Sequence, residues 1–319
     1  MTKIIKLILV LVALLLLFNG ILARDTKNIQ AKQIYLLDEL KLPLTQKIKK
    51  AGDQFSRERQ GDYFLTGYSF STHSRVRVSG TYIDSNAEPV SRIYREGDRL
   101  VIRHFGLCSD DDDRTGAEAV DRDIIMLHKR KGSGSKIVDV SLLNPDSTYR
   151  LTDIPLYWLG HINTVESMDF LVSVFKSKPE TCIRKKILAS VAFHHHTGSL
   201  VFLYSVVQDH GYTEDLRKHA VFWMGMARHP GGLIYLKKIA ARETDYPIRK
   251  QVVFAFYLDG SSEAVRQLIG MARADASVSI RKKAIFWLGQ KASKESIRAL
   301  KQVIESKDEL EVKSSAVFA

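Results

Sequence analysis

Two cysteines are the first residues in this sequence whose side chains could do chemistry. Cys108 and Cys182 lie 74 residues apart, in different predicted elements. In an oxidising compartment they could form a disulfide, although the spacing does not require it. Because the sequence places no evident base beside either thiol, we do not expect a reactive cysteine.

An acidic run, Asp110–Asp113, suggests calcium binding and can be tested against the EF-hand loop. A loop starting at Asp111 places Arg122 at its twelfth position, where the bidentate glutamate ligand is required. We therefore predict a solvated acidic loop. A looser calcium site that also uses Asp121 and Asp123 is the alternative.

Three consecutive histidines, His194–His195–His196, follow a predicted helix. Adjacent helical residues point about 100° apart, so one metal ion cannot bind all three, although an unwound helix end would allow two. No other cysteine or histidine spacing supports a zinc site. We expect the histidines to face solvent at the helix end, and we expect no metal and no cofactor.

The C-terminal half must position any functional surface, because it repeats itself. Six similar segments begin 32 or 33 residues apart, at Thr152, Arg184, Arg217, Arg249, Arg281 and Lys313. In each complete unit, a second apolar stripe with a central leucine follows, at Leu171, Leu203, Leu236, Leu268 and Leu300. Neither helix of such a pair can bury its stripe alone, so the pattern predicts a solenoid of stacked helix pairs.

Large and small residues alternate at the sixth position after each start. The residues there are Trp158, Ser190, Trp223, Ala255, Trp287 and Ala319, and they include all three tryptophans of the chain. Apolar neighbours surround each tryptophan, so we predict an interdigitated structural core. A ladder of aromatic rings that stack on a ligand is the alternative.

Basic residues mark the unit starts and acidic residues precede them. We predict that the arginines pair with acidic residues of neighbouring units, which include Glu180, Asp215, Asp245, Asp275 and Glu309. The lysines beside the arginines form a candidate partner-binding ridge: Lys185, Lys186, Lys218, Lys250, Lys282 and Lys283.

The units resemble HEAT repeats, in the short form of phycobilisome-lyase-like proteins. The segment Val278–Gly289, V-S-I-R-K-K-A-I-F-W-L-G, carries this resemblance best. The chain from about residue 30 to 319 also resembles a family of exported bacterial HEAT-repeat proteins with a small N-terminal domain, most strongly from Leu151 onward. The resemblance implies a binding scaffold and no catalytic residues. The expected fold is mainly α, an α-α superhelix preceded by a small α+β domain.

Four regions are predicted along the chain. Residues 1–23 read as a signal peptide, since Lys3 and Lys6 precede an apolar run that ends near Ala23. An uncleaved membrane anchor is the alternative. We expect a helical segment at 24–60, a small antiparallel β-rich domain at 61–145 and the solenoid at 148–319, with about five repeats. Because the last repeat is incomplete, we expect a truncated fragment, with a short capping helix as the alternative.

Composition and charge limit the function classes. With 7 Pro, 19 Gly and 2 Cys in 319 residues, the chain is neither disordered nor a disulfide scaffold. Its 48 Lys and Arg exceed its 36 Asp and Glu, for a net charge of +12. An exported protein rarely meets nucleic acid, so we expect protein partners in the cell envelope or periplasm and no nucleic acid.

Two other functions remain open. The basic ridge could instead bind a polyanion or a membrane surface. A HEAT-type enzyme, such as a lyase or a metal hydroxylase, is disfavoured because no histidine is followed by glutamate and because an export signal is expected. We therefore expect a non-enzymatic scaffold.

Overall fold

The computed structural model describes most of the chain beyond its N-terminal segment. The described residues are 29–31, 33–37, 41–58, 61–74, 90–96, 99–103, 115–132, 134–143, 148–151, 154–177, 179–291 and 293–319. The predicted signal peptide, Cys108 and the run Asp110–Asp113 lie outside them.

The described residues form two compact units. The first holds those up to Ser71, strands at 90–96 and 99–103, and the described residues of Ala119–Phe170. The second holds residues 72–74 and 115–118 and the described residues of Leu171–Ala319.

The described residues of the sheet region form nine strands and one helix. The strands are β1 (Ile29–Ala31), β2 (Ile34–Leu36), β3 (Tyr63–Ser74), β4 (Val90–Glu96), β5 (Arg99–Arg103), β6 (Thr115–Lys131), β7 (Gly134–Leu142), β8 (Thr148–Leu151) and β9 (Leu156–His161), and helix α1 is Leu44–Glu58. One sheet has the order β1-β8-β4-β5 and the other the order β2-β9-β3-β6-β7.

The sheets are mixed, which corrects the prediction of an antiparallel domain. β9 pairs in parallel with β2 and β3, and β8 pairs in parallel with β1 and β4. β4–β5 and β6–β7 are antiparallel. Parallel neighbouring strands lie far apart in sequence, so no hairpin turn between them predicts their pairing.

The solenoid is predicted to begin at residue 148, but Thr148–Leu151 and Leu156–His161 are the strands β8 and β9. Leu156 to Gly160 are all buried in β9. A short continuous apolar run fits a buried parallel strand as well as a helix, so the repeat pattern does not distinguish the two at Leu156–Gly160. Trp158 consequently lies in the sheet core. A Cβ at Gly67 would come within 2.9 Å of its ring, which explains a glycine inside β3.

The segment predicted to be helical at 24–60 is only partly so. Residues 29–31 and 34–36 are strands, and the helix begins at Leu44, after Pro43. The Leu44 amide, which has no carbonyl partner at a helix start, donates to Glu166 Oε1 at 2.6 Å. The strand assignment depends on β8 and β9, more than a hundred residues away, and that pairing is invisible to local periodicity.

From Thr164 onward the chain is a succession of helices. They are α2 (Thr164–Lys176), α3 (Thr181–Ala192), α4 (Thr197–Gln208), α5 (Glu214–Met226), α6 (Gly232–Arg242), α7 (Tyr246–Asp259), α8 (Ser262–Ala274), α9 (Val278–Lys291), α10 (Lys294–Glu305) and α11 (Leu310–Phe318). Side-chain caps start several of them, as Thr213, Ser261 and Ser293 accept hydrogen bonds from the backbone three residues later.

The helices alternate between two roles. α3, α5, α7, α9 and α11 are the first helices of successive units, and α4, α6, α8 and α10 are the second helices. The predicted central leucines are all buried: Leu171, Leu203, Leu236, Leu268 and Leu300. The fold is therefore mainly α, a HEAT-like α-α superhelix preceded by a small α+β region. No helix in the described residues is long and apolar enough to cross a membrane.

Two kinds of contact alternate between successive first helices. A Cβ at Gly225 in α5 would lie 2.8 Å from the Ala255 Cα in α7. Likewise, a Cβ at Gly289 in α9 would lie 2.7 Å from the Ala319 Cβ. The small residues predicted at the sixth position therefore let backbones approach closely.

The other interfaces are aromatic. Trp223 packs at 5.9 Å from Phe193, and Trp287 stacks at 4.6 Å on Phe254. Both tryptophans are only half-buried, however, which corrects the prediction that they belong to the core. Among the three predicted core tryptophans, only Trp158 is fully buried.

The predicted ion pairs between units are confirmed for three arginines: Arg217 contacts Glu243 (2.7 Å) and Asp245 (3.0 Å), Arg249 contacts Asp275, and Arg281 contacts Asp308 (2.9 Å) and Glu309. Arg184 instead donates to the Pro179 carbonyl, and Asp215 pairs with Lys185. Arg217 also donates to the Val207 carbonyl at 2.7 Å. These largely buried pairs fix the register of one unit on the next.

Candidate binding surface

The six predicted lysines all lie on first helices. Lys185 and Lys186 are on α3, Lys218 is on α5, Lys250 is on α7, and Lys282 and Lys283 are on α9. Lys250 is exposed and the other five are half-buried.

Ion pairs occupy several of these lysines. Lys185 pairs with Asp215, Lys218 with Glu214 at 3.1 Å, and Lys282 with Glu311. The hydrogen bond from Lys185 lowers the pKa of Asp215 below its usual value, so the carboxylate stays charged.

Two lysines have other surroundings. Lys283 Nζ lies 5.7 Å from the centroid of the Phe286 ring. Lys250 forms no ion pair with any residue of the described part of the chain. Its ammonium group is therefore the one most available to an incoming anion.

Aromatic residues that are at least partly exposed accompany the lysines on three neighbouring helices. We call this set the aromatic strip: Phe222 and Trp223 on α5, Phe254 and Tyr257 on α7, and Phe286 and Trp287 on α9. Ring centroids are 6.1 Å apart for Phe222 and Phe254, and 4.6 Å apart for Tyr257 and Trp287. The rings thus form a continuous path across three units.

Sequence reasoning missed the exposure of this strip. It took the apolar neighbours of each tryptophan as a sign of burial. Phe286 and Trp287 are adjacent in a helix, however, and adjacent side chains diverge by about 100°. Both cannot point into one core, and Phe286 is 47% exposed. The pairs of consecutive aromatic residues at equivalent repeat positions were the sequence signal that could have predicted this exposure.

Three of the predicted lysines and part of the aromatic strip meet at one cavity, which we call the central cavity. It has a volume of about 380 Å³ and is lined by residues of α5, α7 and α9, among them Lys218, Lys250, Lys283, Phe254 and Trp287. Glu214 and Gln251 also line it. Lys185 and Lys186 do not, so the structure does not bring all six lysines together.

A second cavity, of about 500 Å³, lies between α9 and α11. Lys282, Lys283, Phe286 and Phe318 line it. Lys283 therefore borders both cavities.

The central cavity combines positive charge with aromatic faces. Ammonium groups attract carboxylates or phosphates, and the faces of Phe254 and Trp287 offer stacking area to rings or apolar groups. Glu214 lies on the wall and reduces the net positive charge. Such a set of residues is suited to bind an anionic ligand that also carries apolar groups.

A serine on β3, a histidine on β9 and an aspartate on β6 lie within hydrogen-bond distance of one another. No motif in the sequence predicts this cluster. Ser71 Oγ lies 2.8 Å from Asp121 Oδ1 and 2.9 Å from His161 Nε2. The hydrogen bond from His161 lowers the pKa of Asp121. In a hydrolytic triad, serine and carboxylate contact opposite ring nitrogens. Here Asp121 contacts Nε2, the nitrogen that also faces Ser71, so the trio lacks that arrangement.

The three histidines at the end of α3 differ from the prediction that they face solvent. His194 is fully buried, and its Nδ1 lies 2.8 Å from the Ser190 carbonyl. His196 caps α4 by accepting a hydrogen bond from the Gly198 amide. The His195 ring lies 5.1 Å from that of His229.

Other predicted sites can be placed only in part. In the described residues, no three histidine, cysteine or acidic side chains are arranged to hold a metal ion. Cys182 is a half-buried free thiol beside Glu180. Cys108 and the acidic run lie outside the described residues.

The sequence matches no known protein family and no curated protein. Among solved structures, the complex of CpcE and CpcF of phycocyanin lyase from a Nostoc species is 17% identical, with a TM-score of 0.35, and covers 48% of this chain and 98% of its own. Human deoxyhypusine hydroxylase in complex with glycerol is 12% identical, with a TM-score of 0.24, and the match covers 47% of this chain and 71% of its own. Similarities this low do not bear on the chemistry of the surface.

Proposed function

We propose that this protein is a non-enzymatic scaffold that binds a protein partner in the cell envelope, through the aromatic strip and the central cavity. The observation that carries the proposal is the convergence of Lys218, Lys250 and Lys283 on one cavity walled by Phe254 and Trp287. Aromatic residues dominate the energetically important contacts of protein interfaces.

The framework beneath the surface supports this role because it is rigid. Arg217 on α5 forms a buried ion pair with Glu243, which precedes α7, and the close contact of Gly225 with Ala255 holds α5 against α7. A preorganised surface loses little conformational entropy when a partner binds.

The charge distribution favours a protein over a polyanion or a membrane surface. Lys185, Lys218 and Lys282 already pair with carboxylates, so the ridge is less positive than its lysine count suggests. Nonspecific polyanion binding needs many free cations. The envelope location is inferred from residues 1–23, whose basic start and apolar run are typical of an export signal.

Site-specific photo-crosslinking in intact cells tests the proposal. A photoreactive residue replaces Gln251, which lines the central cavity, and in a control chain it replaces Lys301, which is exposed on α10. We expect position 251 to crosslink to one envelope protein and position 301 not to. Lys250→Glu in the same chain should abolish the crosslinked band. Equal crosslinking at both positions, or crosslinks to lipid or polysaccharide alone, would contradict the proposal.

A further inference from the structure

The lysines that line the central cavity lie on three successive first helices. Lys218 and Lys250 follow the starting arginines of their units directly, and Lys283 follows the next one by two residues. α5 packs directly on α7, and α7 packs on α9. Packed helices lie about 8–10 Å apart. A ligand that contacts these ammonium groups in succession therefore needs negative charges at a similar interval.

The spacing between stacked helices can be compared with the spacing of side chains in each regular backbone conformation. Polyproline II has three residues per turn and rises about 9.3 Å per turn, so every third side chain lies on the same side. In a β-strand, side chains on one face recur about every 6.6 Å, which does not match. In an α-helix, side chains on one face recur after one turn of about 5.4 Å or after seven residues, about 10.5 Å, and neither distance matches the interval.

The walls of the cavity agree with such a segment. Tyr246, Phe254 and Trp287 line it. Grooves lined by aromatic side chains bind polyproline II segments, because proline rings pack on the aromatic faces and the chain is already extended. The Glu214 carboxylate on the same wall repels a ligand with densely spaced phosphates more strongly than a ligand whose single carboxylates are far apart.

We propose that the central cavity binds an extended acidic segment of the partner protein, in polyproline II conformation, with aspartate or glutamate at every third residue. This inference rests on the proposed function and names the chemistry of the partner at that same surface.

Fluorescence anisotropy with the full chain tests the inference. The probe is a labelled synthetic peptide with four Glu-Pro-Pro repeats. We expect saturable binding that weakens about tenfold with Lys250→Glu, because charge reversal turns attraction into repulsion. Trp287→Ala should weaken binding about tenfold as well, since it removes a stacking face. Lys301→Glu, on the exposed side of α10, is the matched charge control and should leave binding within twofold.

Two further probes test the spacing and the charge type. A peptide of the same composition with its four glutamates in one block should bind at least fivefold more weakly. Inorganic polyphosphate should bind no more tightly than the blocked peptide. The inference is overturned if the two peptides bind equally, if Lys250→Glu has no effect, or if polyphosphate binds best.

These outcomes can be separated from those of the proposed function. If position 251 crosslinks to an envelope protein in cells but the repeated peptide does not bind, the scaffold stands and the acidic segment is wrong. If the peptide binds but no protein crosslinks in cells, the cavity has the inferred chemistry and the scaffold proposal is wrong.

Discussion

Replacing Gly225 with alanine should destabilise the solenoid, although alanine is the better helix former. The added Cβ would lie 2.8 Å from the Ala255 Cα and 2.9 Å from its carbonyl carbon. Carbon atoms pack best at about 3.5–4.0 Å, so α5 and α7 must separate by roughly 0.7 Å or more. Both atoms belong to backbone, so no side chain can rotate away.

The size of the effect follows from two opposing contributions. Overpacking of this kind costs about 1–3 kcal/mol. Alanine gains up to about 1 kcal/mol over glycine in helix propensity. With that gain subtracted, we expect a net loss of about 0–2 kcal/mol in the free energy of unfolding.

Gly270 on α8 is the matched control. A Cβ there meets no atom within 4 Å, so Gly270→Ala should stabilise the protein by about 0.5–1 kcal/mol. Urea unfolding followed by circular dichroism measures both variants against the parent chain. If Gly225→Ala stabilises the protein as much as Gly270→Ala does, the close approach of α5 and α7 is refuted.

Three further changes test the buried contacts. Arg217→Met leaves the Glu243 carboxylate buried without its guanidinium partner and should lower the free energy of unfolding, measured in urea, by about 3 kcal/mol. Adding Glu243→Gln to the same chain should recover part of that loss. If nothing is recovered, the ion pair is refuted. Burial lowers the pKa of His194 to about 3. The unfolded histidine binds a proton below about pH 6.5 and the folded one does not, so stability falls as pH drops from 6.5 toward 3, by up to about 1.4 kcal/mol per pH unit. His194→Asn should flatten this dependence, and an unchanged slope would contradict the assignment. Gly67→Ala forces the Trp158 ring to move and should lower the thermal midpoint; an unchanged midpoint would show that the ring has room.

The sequence predicts most of the solenoid because its determinants lie within each unit or its neighbour. The central leucines recur at a fixed position, so their burial follows from helical periodicity. The pairs of Arg217 with Asp245 and of Arg249 with Asp275 link residues only 28 and 26 positions apart. A period of 32 residues places these groups together once the helices stack.

The sheet region is harder to predict because its pairings are distant. β2 lies beside β9, which is separated from it by about 120 residues, and nothing local marks β9 as a strand. Its apolar run shares the repeat pattern of the later helices, so the pattern wrongly predicts a helix at Leu156–Gly160. Ser71 and His161 are 90 residues apart, so their contact also depends on a sheet order that the sequence does not reveal.

The candidate binding surface can be predicted only in part from the sequence. The lysine positions follow from the repeat, and three of them do meet at the central cavity. Their ion pairs depend on side-chain reach across units, as for Lys282 and Glu311. The exposure of Trp287 depends on how far α7 covers α9, and composition around the tryptophan does not indicate this.

Mass-spectrometric mapping of crosslinks formed from position 251 in living cells tests the central claim most directly. The account predicts crosslinks to a single protein, confined to an acidic, proline-containing peptide of it, and their loss in Lys250→Glu. Crosslinks spread over many unrelated proteins, or unaffected by the lysine change, would contradict it.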